Sequence, residues 1–309
     1  MSTETARLVT LAEGVHAFIG AGGDSNAGAI ETPDGPLVID AQQSVPLARQ
    51  FRAGLEALSK RPFPWLILTH YHLDHTGGGC VFAGDTPILA HEITLAKFRE
   101  LFGPDGGAGR TITGFNERIA FLFGPNIGGL IPQGDPAWDW FQGRIAGPEY
   151  VSVVPAPPGH TFADRFTFEL PGRRVVLQYW GPAHCDGDII LHLPDDGIVF
   201  VGDLLFVGRF PWLGDGNIDG WISALEKVSR LDAGIVVPGH GRPATLKEVR
   251  AFRDMLAALR SGVADARAGG MTEDEAVRSV ALRDYERTPR YTEWMPWNVR
   301  NVHRMLASG

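Results

Sequence analysis

The sequence predicts an α/β protein, and three observations carry the prediction. Short apolar runs bounded by Gly, Pro and Asp alternate with stretches whose apolar residues recur at helical spacing. The β-rich stretches fall into two halves separated by residues 103–150. Hydrophobic residues make up 44% of the 309 positions and charged residues 21%, a composition that builds a substantial core.

Taken in order, residues 8–11 and 15–19 are apolar runs around Ala12-Glu13-Gly14, the pattern of a β-hairpin. Residues 27–31 and 36–40 flank Pro33-Asp34-Gly35 and predict a second one. Val45, Ala48, Phe51, Leu55 and Leu58 share one helical face, and Pro62 and Pro64 close that region. Strands follow at 65–68 and 87–90, then a helix over 91–101. Residues 103–150 read as a long insertion rich in Gly and Pro, with Phe115, Phe121, Phe123, Trp138, Trp140 and Phe141 scattered through it. A helix fits 112–123; the remainder reads as irregular, a lid, a substrate-pocket wall or an oligomer contact. Strands resume at 165–170 and 174–180, and 189–193 and 197–201 form a hairpin around Pro194-Asp195-Asp196. A helix over 221–231 and a buried strand over 234–237 come next. From Thr245 the pattern is helical, and Thr272-Glu273-Asp274-Glu275 is a capping-box start. We therefore divide the chain into a domain at 1–245 and a helical extension at 246–309, whose Tyr291, Trp294 and Trp297 are candidates for a homodimer contact.

The chemistry is concentrated after the strand at 65–68. His70, His72, Asp74 and His75 occupy six positions as H-x-H-x-D-H. Imidazoles and a carboxylate suit a borderline divalent ion such as zinc, and also accept iron or manganese. Six residues cannot surround one ion and leave room for substrate, so two ions with further ligands from downstream is the natural solution. His184, Asp203 and His240 each follow an apolar strand and have Gly nearby, which places a polar side chain at a sheet edge where backbone turns tightly. Together these are seven candidates, enough for two ions.

In this order the motifs resemble the metallo-β-lactamase superfamily: H-x-H-x-D-H, the Gly-x-x-His of His184, the Gly-Asp of Asp203 and the Gly-His of His240, with Ser25-Asn26-Ala27-Gly28 and Val38-Ile39-Asp40 resembling its opening hairpins. The resemblance covers about residues 8–245. It implies an αβ/βα sandwich of two mixed sheets with helices outside. It implies that His70, His72 and His184 hold one metal, that Asp74, His75 and His240 hold the second, that Asp203 bridges them, and that Asp40 supports the loop. The best-known lactamases carry Cys where this chain has Asp203, so the chain is more similar to glyoxalase II, lactonase and general hydrolase branches. Gly241-Arg242-Pro243 after His240 departs from the glyoxalase II ending. The nearest likeness is to a broad bacterial group of zinc-dependent hydrolases.

The reaction implied is hydrolysis of a small-molecule ester, lactone, thioester or amide, with two zinc ions lowering the pKa of a shared water and Asp74 orienting it as the catalytic side chain. β-Lactam hydrolysis and an iron-dependent sulfur oxidoreductase of the same fold are the alternatives. Tyr71, Arg209, Trp212 and Asn217 are candidates to touch substrate. Cys185, next to His184, reads as buried packing. His16, His91, His160, His192 and His303 read as structural or exposed. A formal net charge of −8 and the lack of a basic run argue against a nucleic-acid or membrane partner. Two cysteines, Cys80 and Cys185, read as free thiols, and with no signal-peptide pattern at the first residues the expected location is cytoplasmic.

Overall fold

Alternation along the strands divides each sheet into two faces, and both faces are buried. In the computed structural model, which describes residues 5–123, 134–147, 150, 153–214 and 216–308, twelve strands form two mixed sheets. The first runs in the order β1 (Arg7–Ala12), β2 (Val15–Ile19), β3 (Ala27–Ile30), β4 (Leu37–Ile39), β5 (Leu66–Ile67), β6 (Ile88–His91) and β7 (His160–Phe162). Its first four strands are antiparallel and the pairs from β4 to β7 parallel. The second sheet consists of β12 (Ile235–His240), β11 (Ile198–Phe206), β10 (Ile189–Leu193), β9 (Arg173–Tyr179) and β8 (Arg165–Leu170). There β11 and β12 are parallel and the other pairs antiparallel.

Val15, Ala17, Ile30, Ile39, Ile67 and Leu89 of the first sheet share one apolar core with Val175, Leu177, Leu191, Ile198, Phe200 and Val237 of the second. That shared core makes the pair a sandwich. The alternate residues, among them Phe18, Ala29, Val38, Leu66, Val199 and Val236, belong to a second core shared with the helices. Helix α1 (Val45–Leu58) buries Val45, Ala48, Phe51 and Leu55 of the face read from its spacing, while Leu58, at its last turn, is exposed. The expected hairpins and most strands form as read.

Differences have physical causes. Strand β11 does not stop at Val201; it continues to Phe206 through a register irregularity at Gly202, whose φ is +50°. Asp203 therefore sits inside a bulged strand rather than after one, and the bulge re-aims it. After α2 (Leu73–Thr76) and α3 (Glu92–Phe102), the insertion is more regular than its composition suggests. It holds α4 (Phe115–Phe123) and α5 (Pro136–Ile145); residues 124–133 and the Phe123 side chain lie outside the description. Helix α5 starts where Asp135 caps the amide of Ala137 and Pro136 opens the first turn, a signal present in the sequence but masked by the surrounding Gly and Pro.

Helix α6 (Ile218–Val228) packs on α7 (Leu246–Ala268), followed by α8 (Glu273–Ser279), whose capping box forms as read, and α9 (Tyr291–Ser308). The tryptophans expected at a dimer contact are instead part of the chain's own core: Trp294 is fully buried and Trp297 nearly so. No described helix is long and apolar enough to cross a membrane.

Phe51 is a direct test of the outer core. It is fully buried, with ring centroids 5.1 Å from Phe18 and 6.3 Å from Phe82. Phe51→Ala is expected to lower the unfolding free energy by about 3–5 kcal/mol in urea titrations.

Candidate metal centre

The chain direction brings the C-terminal ends of β4, β5, β9 and β12 to one edge of the sandwich, where two backbone contacts tie the sheets together. The amide of Ile189 donates to Thr69 O (3.0 Å), and Ser25 forms an isolated bridge with His240. Asn26 adds a clamp: its side-chain amide donates to Pro238 O (2.9 Å) and Gly241 O (2.7 Å), holding both sides of His240. The Ser25 hydroxyl donates to Asp74 O.

At this edge stand two groups of ligand-type atoms, His70 with His72 and His184, and Asp74 with His75, Asp203 and His240; within each, the atoms lie inside 4.8 Å of one another. Asp203 faces both. Its Oδ2 is 3.3 Å from His184 Nε2, and its Oδ1 is 3.0 Å from His75 Nε2 and 3.4 Å from His240 Nε2. A side chain at residue 239 would collide with this carboxylate, since an added Cβ would lie 1.8 Å from Asp203 Oδ1; hence the glycine of Pro238-Gly239-His240.

Outer contacts set which nitrogen each imidazole offers. His75 Nδ1 meets Asp40 Oδ2 at 2.9 Å, His184 Nδ1 meets Trp212 O at 3.1 Å, and His240 Nδ1 meets Gly23 O at 3.0 Å. An acceptor at Nδ1 keeps the proton there and leaves the Nε2 lone pair facing inward. His70 does the same through Thr69 Oγ1 (3.1 Å), which itself donates to Asp40 Oδ2 (2.7 Å). His72 is turned the other way, with Nδ1 inward at 3.1 Å from His184 Nε2. Asp40 thus supports two imidazoles and also accepts the Thr69 amide at Oδ1 (2.8 Å). It does so from a left-handed backbone, φ +57°, that a non-glycine residue adopts only when its surroundings impose it.

The donor set fits divalent cations. The buried Nε2 atoms of His70, His75 and His240 and Asp203 Oδ1 make no hydrogen bond with each other or with anything else, although several stand at ion-pair distance. Buried polar atoms left this way are costly unless a ligand engages them. The charges agree. Burial drives the His70 imidazole well below its usual pKa, aided by His75 and His72, so it is neutral. Burial opposes protonation of His75 as well, but Asp203 and Asp74 outweigh it and raise that pKa well above the ordinary value. Burial pushes Asp74 upward, yet His75 and His240 hold it down at about 2. Asp203 is likewise held well below the usual range by His240 and His75 against burial. The field that draws a proton onto His75 is one that attracts a cation.

A cavity of about 520 Å³ opens on this centre; Asp74 and His240 line it, and none of His70, His72 and His184 does. The Asp74 side chain is 15% exposed whereas the other six are nearly closed off. Of the candidate substrate contacts, Arg209 lines this cavity. Tyr71, Trp212 and Asn217 do not. Tyr71 is buried with its ring against His72 (4.5 Å), Trp212 contributes its carbonyl to His184, and Asn217 caps α6 by accepting the Gly220 amide (2.9 Å). Trp140, Arg144 and Arg290 also line the cavity; Trp140 is one of the aromatics of the insertion for which a pocket wall is a sequence reading, whereas Arg144, from α5, and Arg290, just before α9, carry no sequence signal.

Cys185 is buried, and its thiol donates to Asp188 Oδ1 (3.4 Å) while its amide donates to Oδ2 (2.7 Å). Burial raises the Asp188 carboxyl to about 7, with the Cys185 amide pulling it back. An acid whose folded pKa exceeds its unfolded value takes up a proton on folding. It therefore removes stability as pH rises from about 4, the unfolded value, toward 7, and removes no more above that. Asp188→Asn is expected to flatten the pH dependence of urea unfolding across this window in chelator-treated protein.

Comparison with known proteins agrees with this architecture. The sequence pattern of the metallo-beta-lactamase superfamily matches residues 20–240. A linear primary-alkylsulfatase of Pseudomonas sp. is 25% identical over 265 residues, covering 82% of this chain and 49% of its own length. The 2,4-dinitroanisole O-demethylase subunit alpha of Nocardioides sp. is 27% identical over 312 residues, covering 97% and 77%. A solved metallo-beta-lactamase from Pontibacter korlensis superposes with a TM-score of 0.58 at 18% identity, over 82% of this chain and 99% of that one. The chain thus spans about half the length of the alkylsulfatase it matches. With the family pattern covering residues 20–240 and every candidate ligand, the chain belongs to the metallo-beta-lactamase superfamily.

Proposed function

We propose that the chain is a hydrolase of small molecules that uses two divalent ions, zinc by preference, held by the seven residues of the centre. The observation that carries this reading is Asp203, one carboxylate with an oxygen toward each group of imidazoles. His70, His72 and His184 would hold one ion, and Asp74, His75 and His240 the other, with Asp203 shared. When bound, the ions would supply Lewis acidity and a lowered pKa for water between them.

The chain's own residues do the rest. Asp74, ionised at neutral pH and partly open to the cavity, accepts a hydrogen bond from the attacking water and sets its direction. Water adds to the substrate's carbonyl carbon, the bond to the leaving oxygen, sulfur or nitrogen breaks, and the water's proton ends on the leaving atom. Asp40, through His75 and Thr69, keeps the loop at 69–76 in register during turnover. No side chain of the chain forms a covalent bond to substrate. An ester, lactone, thioester or amide fits this chemistry. The alkylsulfatase among the relatives supports a second reading, in which the bond is a sulfate monoester.

Chelator treatment is expected to abolish ester hydrolysis, and added zinc to restore it. Asp203→Ala is expected to leave at most one ion per chain by elemental analysis and below about 1% of wild-type kcat/KM. A variant that keeps full activity without metal would sink this reading, and sulfate release from hexyl sulfate separates the second reading from the first. Asp40→Ala is expected to weaken zinc binding about 10–100-fold in competition with a chromophoric chelator.

A further inference from the structure

The lining of the cavity carries more positive charge than a chain of net charge −8 leads one to expect. Five arginines line it: Arg7, Arg144, Arg209, Arg242 and Arg290. Three have a carboxylate partner: Arg144 has Asp24, Arg242 has Glu248 at 2.6 Å, and Arg290 has Glu293 at 2.9 Å. Arg209 has none within ion-pair distance among the described residues. One of its Nη atoms donates to Gly23 O (2.7 Å) and stands 3.1 Å from His240 Nδ1, while its buried Nε makes no hydrogen bond. Burial pulls its pKa down to about 10, although Asp74 and Asp203 lie near enough to favour its charge. On the two-ion reading, however, those carboxylates are already engaged.

A buried guanidinium short of a counter-charge is an expensive arrangement unless a ligand completes it. Its orientation is also fixed. The Arg209 guanidinium stacks between Phe206 (5.5 Å) and Trp294 (4.6 Å), Trp294 meets Trp140 edge to face (5.5 Å), and Arg290 lies over Trp140 (4.9 Å). At the other end, the Phe206 ring stacks on His240 (5.0 Å, 11°). One aromatic ladder thus joins the metal centre to two arginines at measured separations. Rigid guanidinium planes held on rings are suited to oxyanions. Arg290 adopts φ +74°, a conformation that a non-glycine residue holds only under constraint from its surroundings. Arg290 and helix α9, which holds Trp294, lie outside residues 20–240, which carry the superfamily pattern.

We propose that Arg209 and Arg290 bind an oxyanion of the substrate at a point separate from the bond that is cut, so that the substrates are hydrolysable organic acids with an apolar segment lying on Trp140. This rests on the hydrolase reading for the cleavage step, but not for the binding step. A substrate of this kind presents its scissile bond to the Asp74–His240 side of the centre while its acid group rests on the wall.

The experiment compares matched pairs on the full chain. In the zinc-loaded protein, kcat/KM for 4-nitrophenyl hydrogen glutarate is expected to exceed that for neutral 4-nitrophenyl pentanoate by about tenfold or more, a gap that closes at high salt. In chelator-treated protein, calorimetric titration is expected to show 4-phenylbutanoate binding about tenfold more tightly than 4-phenylbutan-1-ol. Arg290→Gln and Arg209→Gln are expected to collapse both ratios, and Arg290→Lys to restore part of them. Equal values for acid and neutral partner in the wild type overturn the proposal whether or not the variants fold. So does acid binding that appears only with zinc, or an Arg209→Gln variant that loses both substrates in parallel. Acid preference in binding with neither ester turned over leaves the wall standing and removes the hydrolase reading instead.

Discussion

Five imidazoles and two carboxylates share one buried volume in this protein, and keeping those groups oriented and dry at once is the constraint on which the rest depends. Each imidazole must present a lone pair inward, so each needs an acceptor or a packing surface behind it. Those acceptors come from far apart in the chain: Asp40 at the end of β4, Gly23 before β3, Trp212 after β11. The sandwich is what makes such distant atoms neighbours. Its two sheets are fastened at this edge by Ile189 with Thr69 and by Ser25 with His240, so the supports move as one body. The strain visible at Asp40 and the crowding at Gly239 are local consequences of fitting all seven groups into that space.

The candidate ligands were legible in the sequence because their chemistry is compressed. His70, His72, Asp74 and His75 fall in one loop, and His184, Asp203 and His240 each come after an apolar strand and close to glycine. The sandwich was legible in part from alternation, since residues such as Val15 and Ala17 face one core while Phe18 faces the other. What alternation could not reveal is where β11 ends. Gly202 looked like a terminator and is a bulge within the strand, a distinction that depends on the pairing with β12.

The cavity wall was legible only in part, at Arg209 and in the insertion that holds Trp140. Trp140, Arg144, Arg209 and Arg290 share no spacing; they meet only because α5 and α9 pack together over the mouth of the centre. The C-terminal tryptophans looked like a surface for a second copy because nothing near them in sequence showed what would cover them. Tertiary packing gives them a role inside the chain, where Trp294 is both core residue and platform for Arg209. Tyr71 shows the converse: its place between two ligands suggested contact with substrate, and the strand-to-loop turn buries it.

The opening of this cavity onto Asp74 and His240 has a consequence for metal exchange. The described cavity reaches Asp74 and His240 but none of His70, His72 and His184. An ion that travels through this cavity to the inner three imidazoles would have to pass the outer position. Loading would then be ordered, inner before outer, and depletion would run in reverse, so partly filled protein would be a defined species with the outer position vacant rather than a mixture of two half-filled forms.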